Sequence, residues 1–244
     1  MDQITPLPQF NAILRPEIHE EFIKVCKDHT EDFTKLFKLT KDISDFLKTK
    51  VGPNDNTSKE YYTTLFNFRI RDHFSSSMML ISQGFVVDAI SLTRASLEDL
   101  LVLINFYIDQ DYFNKWHQDD TTFKIEPYKL RDNIRNHNFF GTDDGDFFDG
   151  IYKSLSNIVH PKINSLRLMA SYHPTFNTSS QSDMLEKYTQ LVVMSFFTYE
   201  VLLCKFLKHV YPQDTVKLKE IVDDLFNNIK IKSSIELDFE AYDN

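Results

Sequence analysis

The 24 residues from Phe85 to Ile108 hold neither glycine nor proline, and on a helix they are apolar on nearly every face. A helix of this kind cannot lie on a surface; other elements must wrap it. Its only charged residues are Asp88, Arg94, Glu98 and Asp99. Charges near the middle of a helix are costly in lipid, so the segment reads as the buried centre of a soluble protein and not as a membrane span.

The rest of the chain supplies helical wrapping. Only 5 glycines and 8 prolines punctuate 244 residues, too few for a many-turned β-protein. Apolar residues recur at helical spacing over Glu17 to Val51, with Phe22, Ile23, Cys26, Phe33, Phe37, Ile43, Phe46 and Leu47 as the buried stripe, and Gly52-Pro53 as the stop. Ser58 is placed to cap a second helix, Lys59 to Gln83, with Tyr62, Leu65, Phe66, Ile70 and Phe74 facing inward; Gly84 bends or ends it. Further helices are expected over Asp111 to Asp120, Pro127 to Asn138, Asp146 to His160, Met184 to Tyr211 and Thr215 to Asn228. Gly141 to Gly145 reads as a turn and His173 to Ser180 as a polar loop. The expected fold is all-α: one antiparallel multi-helix bundle over 17–228, with seven to nine helices and a buried central one. An extended segment, 1–16, precedes it. From Ile229 on, apolar and charged residues alternate, so 229–244 is either a short β-hairpin or a disordered acidic tail.

Two polar stripes stand out. Tyr152, Ser156 and His160 lie at i, i+4 and i+8, next to an apolar stripe of Ile151, Leu155 and Val159. His160 ends its helix just before Pro161, where the macrodipole favours a positive charge. On the central helix, Ser91, Arg94, Glu98 and Asn105 project within roughly a sixth of a turn of one another. A buried Arg and Glu four apart should pair, because either alone is an uncompensated charge. That pair either locks two helices in register or shares a pocket with Tyr152, Ser156 and His160.

The spacing Leu92-Thr-Arg94-Ala-Ser-Leu97-Glu98, followed by Tyr152-x-x-Leu155-Ser156-x-x-Val159-His160-Pro161, resembles a bacterial all-helical family of unknown function. That resemblance covers about Tyr61 to Arg167 and implies a helical fold without a chemistry. Arg131-Asp-Asn-Ile-Arg-Asn-His137 resembles the mark of HEPN proteins, helical domains that include dimeric, metal-independent ribonucleases and defence toxins. The second resemblance implies His137 as acid or base and Arg131 as phosphate clamp, acting on RNA in a homodimer. Lys124, Lys129, Arg131 and Arg135 give this segment local positive charge in a chain of net charge -9.

That overall negative charge argues against unspecific nucleic-acid binding. Cys26 and Cys204 lie far apart and read as reduced thiols, which with the absence of a signal-peptide pattern gives a cytoplasmic expectation. No zinc, nucleotide or nucleophile-elbow motif occurs, and neither a cofactor nor a metal is expected. Two functions remain: a non-enzymatic interaction module in a bacterial defence or stress system, binding a protein or a second copy, and an HEPN-like endoribonuclease or toxin.

Overall fold

The computed structural model describes residues 16–119, 121, 123–137, 142–159 and 181–226. Segments 1–15 and 229–244, the expected loop at 173–180, and His160 lie outside them. Among the described residues the chain forms nine α-helices and no strand: α1 (Pro16–Asp28), α2 (Thr30–Lys48), α3 (Lys59–Ser82), α4 (Val86–Ile108), α5 (Gln110–His117), α6 (Pro127–Asn136), α7 (Thr142–Val159), α8 (Gln181–Val210) and α9 (Thr215–Phe226), with a 3-10 turn at Pro212–Asp214. The fold is the expected all-α bundle.

Helix α4 packs against α3, α5, α6, α7 and α8. From Asp99 to Phe106 every residue is buried, so all faces of its C-terminal half are covered. Asp88 is exposed in the first turn, where a negative charge complements the helix dipole. The α3–α4 corner is set by Gly84. Its φ of 77° lies in the left-handed region. Phe85 N–H donates to the Leu80 carbonyl at 2.8 Å and Gly84 N–H to that of Ile81 at 2.8 Å, which closes the helix end. The two helices then run antiparallel, tied by Ser77 to Thr93 (3.3 Å) near the corner and Thr63 to Tyr107 (3.1 Å) at the far end.

Local capping explains several boundaries. Ser58 Oγ accepts from Tyr61 N–H at 3.0 Å, as its position before an apolar run predicts. Asp109 caps α5 through Asp111 N–H (2.8 Å) and Tyr112 N–H (3.1 Å). Trp116 then docks on Phe106 and Tyr62, with centroid distances of 4.7 and 4.8 Å. At the same end of the bundle, Lys50 pairs with Asp214 at 2.6 Å and Tyr211 donates to Glu60 at 3.2 Å, which anchors the segment leading into α9.

The structure corrects the sequence reading in four places. The single helix expected over 17–51 is two, broken at His29 (φ -110°, ψ 12°). Thr30 Oγ reaches back across the break to the Cys26 and Lys27 carbonyls (2.8 and 3.2 Å). Ile23 of α1 and Phe37 of α2, both expected inside, are exposed, while Leu36 and Leu39 are buried. Second, α2 stops at Lys48, ahead of Gly52-Pro53; Thr49 Oγ and its N–H both donate to the Phe46 carbonyl, at 2.6 and 3.0 Å. Third, Leu65 is exposed on α3. Fourth, α7 starts at Thr142, so 142–145 of the expected turn is helical.

In α8, Leu185–Val210 is long and apolar enough to cross a membrane, but its most apolar part is mostly buried inside the bundle. Because Gly84 adopts a backbone conformation that a Cβ disfavours, Gly84→Ala should lower unfolding free energy by about 1 kcal/mol in urea titrations, and Gly84→Asn by less. Unchanged stability for Gly84→Ala would contradict the role given to this corner.

Candidate functional site

Helix α7 buries Phe148, Ile151 and Leu155 together with Tyr152, which is 7% exposed. Tyr152 brings its hydroxyl to the two charged residues of the central helix. Its O–H donates to Glu98 Oε1 at 2.7 Å. Arg94 Nη2 donates to Tyr152 Oη at 3.2 Å and pairs with Glu98 Oε1 at 2.9 Å. The three groups close a triangle. Arg94 and Glu98 keep 22% and 27% of their side chains exposed, so they sit at the margin of the core and not inside it as the sequence reading placed them. Burial pushes the Tyr152 phenol above its ordinary pKa, and donating to Glu98 reinforces this, so the hydroxyl stays a donor. Burial opposes the charge on Arg94, but Tyr152 and Glu98 outweigh it and leave the guanidinium held above its usual pKa.

The same tyrosine joins the second candidate pair. The Arg131 guanidinium lies 4.9 Å from the Tyr152 ring centroid and that of Arg94 lies 5.4 Å away, both in cation–π range. Arg131 Nη1 donates to Asp149 Oδ1 at 3.2 Å, and Arg135 donates to Asp149 Oδ2. Asp149 therefore serves two arginines. Asn105, the last member of the α4 stripe, turns to α6 instead: its amide donates to the Leu130 carbonyl at 3.2 Å and its oxygen accepts from Asn133 at 3.2 Å. Ser91 satisfies its hydroxyl within α4, on the Val87 carbonyl at 2.8 Å.

Phe148 and Asp149 share a cavity of about 30 Å³ with Leu101 and Ile104, while Tyr152, one turn on, meets Glu98 and Arg94. Helices α4 and α7 are thus antiparallel, and Ser156 comes level with Ser91 and Arg94. Ser156 makes none of the contacts its stripe position led one to expect; its Oγ and Arg94 Nε are buried without a hydrogen-bond partner. His137 is exposed at the C-cap of α6, where Nδ1–H donates to the Asn133 carbonyl at 2.8 Å, while Arg131 is turned toward α7.

Three participants escaped the sequence reading. Asp149 lies 18 residues from Arg131, and no local spacing announces the pair. Arg69 pairs with Asp99 at 3.2 Å, and burial pushes the Asp99 carboxyl up to about 6, against the pull of Arg69. His73 meets Ser96 at 2.9 Å through Nδ1, while its Nε2 accepts from Arg69 Nε–H at 3.4 Å. Nδ1 must then carry the proton, and burial, helped by Arg69, holds the ring below its ordinary pKa. Only the i, i+4 spacing of Arg69 and His73 could have flagged it. Both cysteines are free thiols. Among the described residues no three His, Cys, Asp or Glu side chains converge as a metal site.

No protein-family model, curated protein or solved structure matches this chain.

If the Tyr152 hydroxyl ties α4 to α7, Tyr152→Phe should cost about 1–2 kcal/mol of unfolding free energy, since it removes a bond to a charged group but keeps the ring. Tyr152→Ala should cost about 3 kcal/mol or more, because the ring and its packing go too. A Tyr152→Phe protein as stable as the parent in urea titrations would show that the triangle contributes nothing.

Proposed function

We propose that this chain is a non-enzymatic helical interaction module whose polar stripes hold three helices in fixed relation. One observation carries the reading: the charges of the candidate cluster are answered inside the chain. Glu98 and Tyr152 engage Arg94, and Asp149 engages both Arg131 and Arg135. The adjoining cavity, about 30 Å³, is far smaller than the pockets that enclose drug-sized ligands. Groups already paired this way are poorly placed to bind a substrate, since each contact to it would first break one within the protein. A cytoplasmic bacterial setting, a role in defence or stress, and a protein partner or second copy accompany this reading; the bacterial setting rests on the Arg94-x-x-x-Glu98 and Tyr152-to-His160 resemblance.

A second reading, an HEPN-like homodimeric endoribonuclease, is favoured by the exposure of His137 beside the exposed Lys124, Lys129 and Arg135. The two separate on incubation of purified protein with structured and single-stranded RNA, alongside growth assays on expression. The module predicts intact RNA and equal growth for wild type, Arg131→Ala, His137→Ala and His160→Ala. RNA cleavage lost in Arg131→Ala and His137→Ala but kept in Tyr152→Phe would overturn it in favour of the nuclease.

A further inference from the structure

A fully buried carboxyl group lies away from the Tyr152 cluster. Glu200, on α8, is 0% exposed and faces the seam between α2 and α3. Neither of its carboxyl oxygens has a hydrogen-bond partner. Thr40 is the polar side chain facing it, but the Thr40 hydroxyl donates to the Leu36 carbonyl at 3.0 Å. The other donors nearby are also spent. Ser44 Oγ–H goes to the Thr40 carbonyl at 2.7 Å. The two amide hydrogens of Asn67 go to that same carbonyl at 3.3 Å and to Ser44 Oγ at 2.8 Å. Asn67 Oδ1 is itself a buried acceptor without a donor. The seam therefore holds a surplus of acceptors. Beside Glu200 lies a cavity of about 10 Å³, walled by Leu36, Phe37, Ile70 and Phe74, with Thr40 and Arg71 as its other polar walls. That volume suits one water.

We propose that this seam is a proton-binding site: Glu200 is a neutral carboxylic acid in the folded protein, hydrated by one buried water, and release of its proton loosens α8 from α2 and α3. A carboxylic acid supplies one donor and water two, which answers the surplus of acceptors; a bare carboxylate would add charge where nothing balances it. Arg71 of α3 lines the same cavity, but its guanidinium is half exposed, 5.5 Å from the Phe68 ring centroid and 3.4 Å from Asp72. On α8 itself, the Cys204 thiol and the Tyr199 phenol flank Glu200, and both are kept protonated chiefly by burial. Beyond them, Lys208 faces Cys204 and Asp99 of α4 faces Tyr199. From α2 the neighbours, Thr40 and Ser44, are uncharged. Burial pushes the Glu200 carboxyl up to about 8, against the pull of Thr40.

The sign follows. A carboxyl whose folded pKa exceeds its unfolded value near 4.3 contributes its full stability below about pH 4, and that contribution is lost as pH rises toward about 8. Glu200→Gln keeps the shape and removes the titration. In urea titrations the ratio of the Glu200→Gln folding constant to that of wild type should rise from about pH 5 to 8, by up to tenfold per pH unit. Parallel pH profiles for the two proteins would overturn the proposal. Should Glu200→Gln fail to fold, infrared spectroscopy of the wild-type chain with 13C-labelled glutamate decides. A carboxylic-acid carbonyl band that persists at neutral pH and disappears in mild alkali is expected; complete ionisation of all glutamates by neutral pH would refute it.

Discussion

The bundle depends on burying α4 while answering every charge it carries inward. An all-apolar helix would pack with less constraint on its rotation and register. Here Arg94 and Glu98 must meet the Tyr152 hydroxyl, Asp99 must meet Arg69, and Asn105 must meet the Leu130 carbonyl and Asn133. Each contact reaches a different neighbour, α7, α3 and α6. The apolar residues around them supply the driving force, and these polar contacts fix which face of α4 each helix meets. Leaving one such group unmatched in the interior costs more than a matched pair gains, so the contacts act mainly by excluding wrong arrangements.

Tyr152 sits where these constraints converge. Its ring lies near two guanidinium groups and its hydroxyl closes the Arg94–Glu98 pair, so Arg94, Glu98 and Tyr152 of the two stripes and Arg131 of the rival pair form one network. Asp149 completes it from one turn away on the same helix. Glu200 is the counter-example within the same core. Its carboxyl has neither cation nor donor, and what the charged cluster gains by pairing, this residue can gain only by staying neutral.

The helices were legible because their signals are local. The α4 pattern, the Ser58 cap, the Pro127 start and the Gly84 corner each follow from a few adjacent residues. The misread stretches were also local but subtler: the breaks at His29 and Thr49 leave the apolar period intact and fall where neither glycine nor proline marks them. Of the candidate site, Arg94, Glu98 and Tyr152 were found, because a charge or phenol set into an apolar stripe at helical spacing is conspicuous. Asp149, His73 and the setting of Glu200 were not. Their significance comes from partners 18, 23 and 160 positions distant in sequence, and only the packing of helices makes those pairs.

The claim that the α4–α7 contact is held by a specific bond, and not by generic apolar packing, is tested most directly by a double-mutant cycle on Glu98→Gln and Tyr152→Phe, read by urea unfolding. A coupling energy of about 1 kcal/mol or more is expected, since each substitution should lose much of its effect once the other is present. Two losses that simply add would contradict it and leave the helices joined by their greasy faces alone.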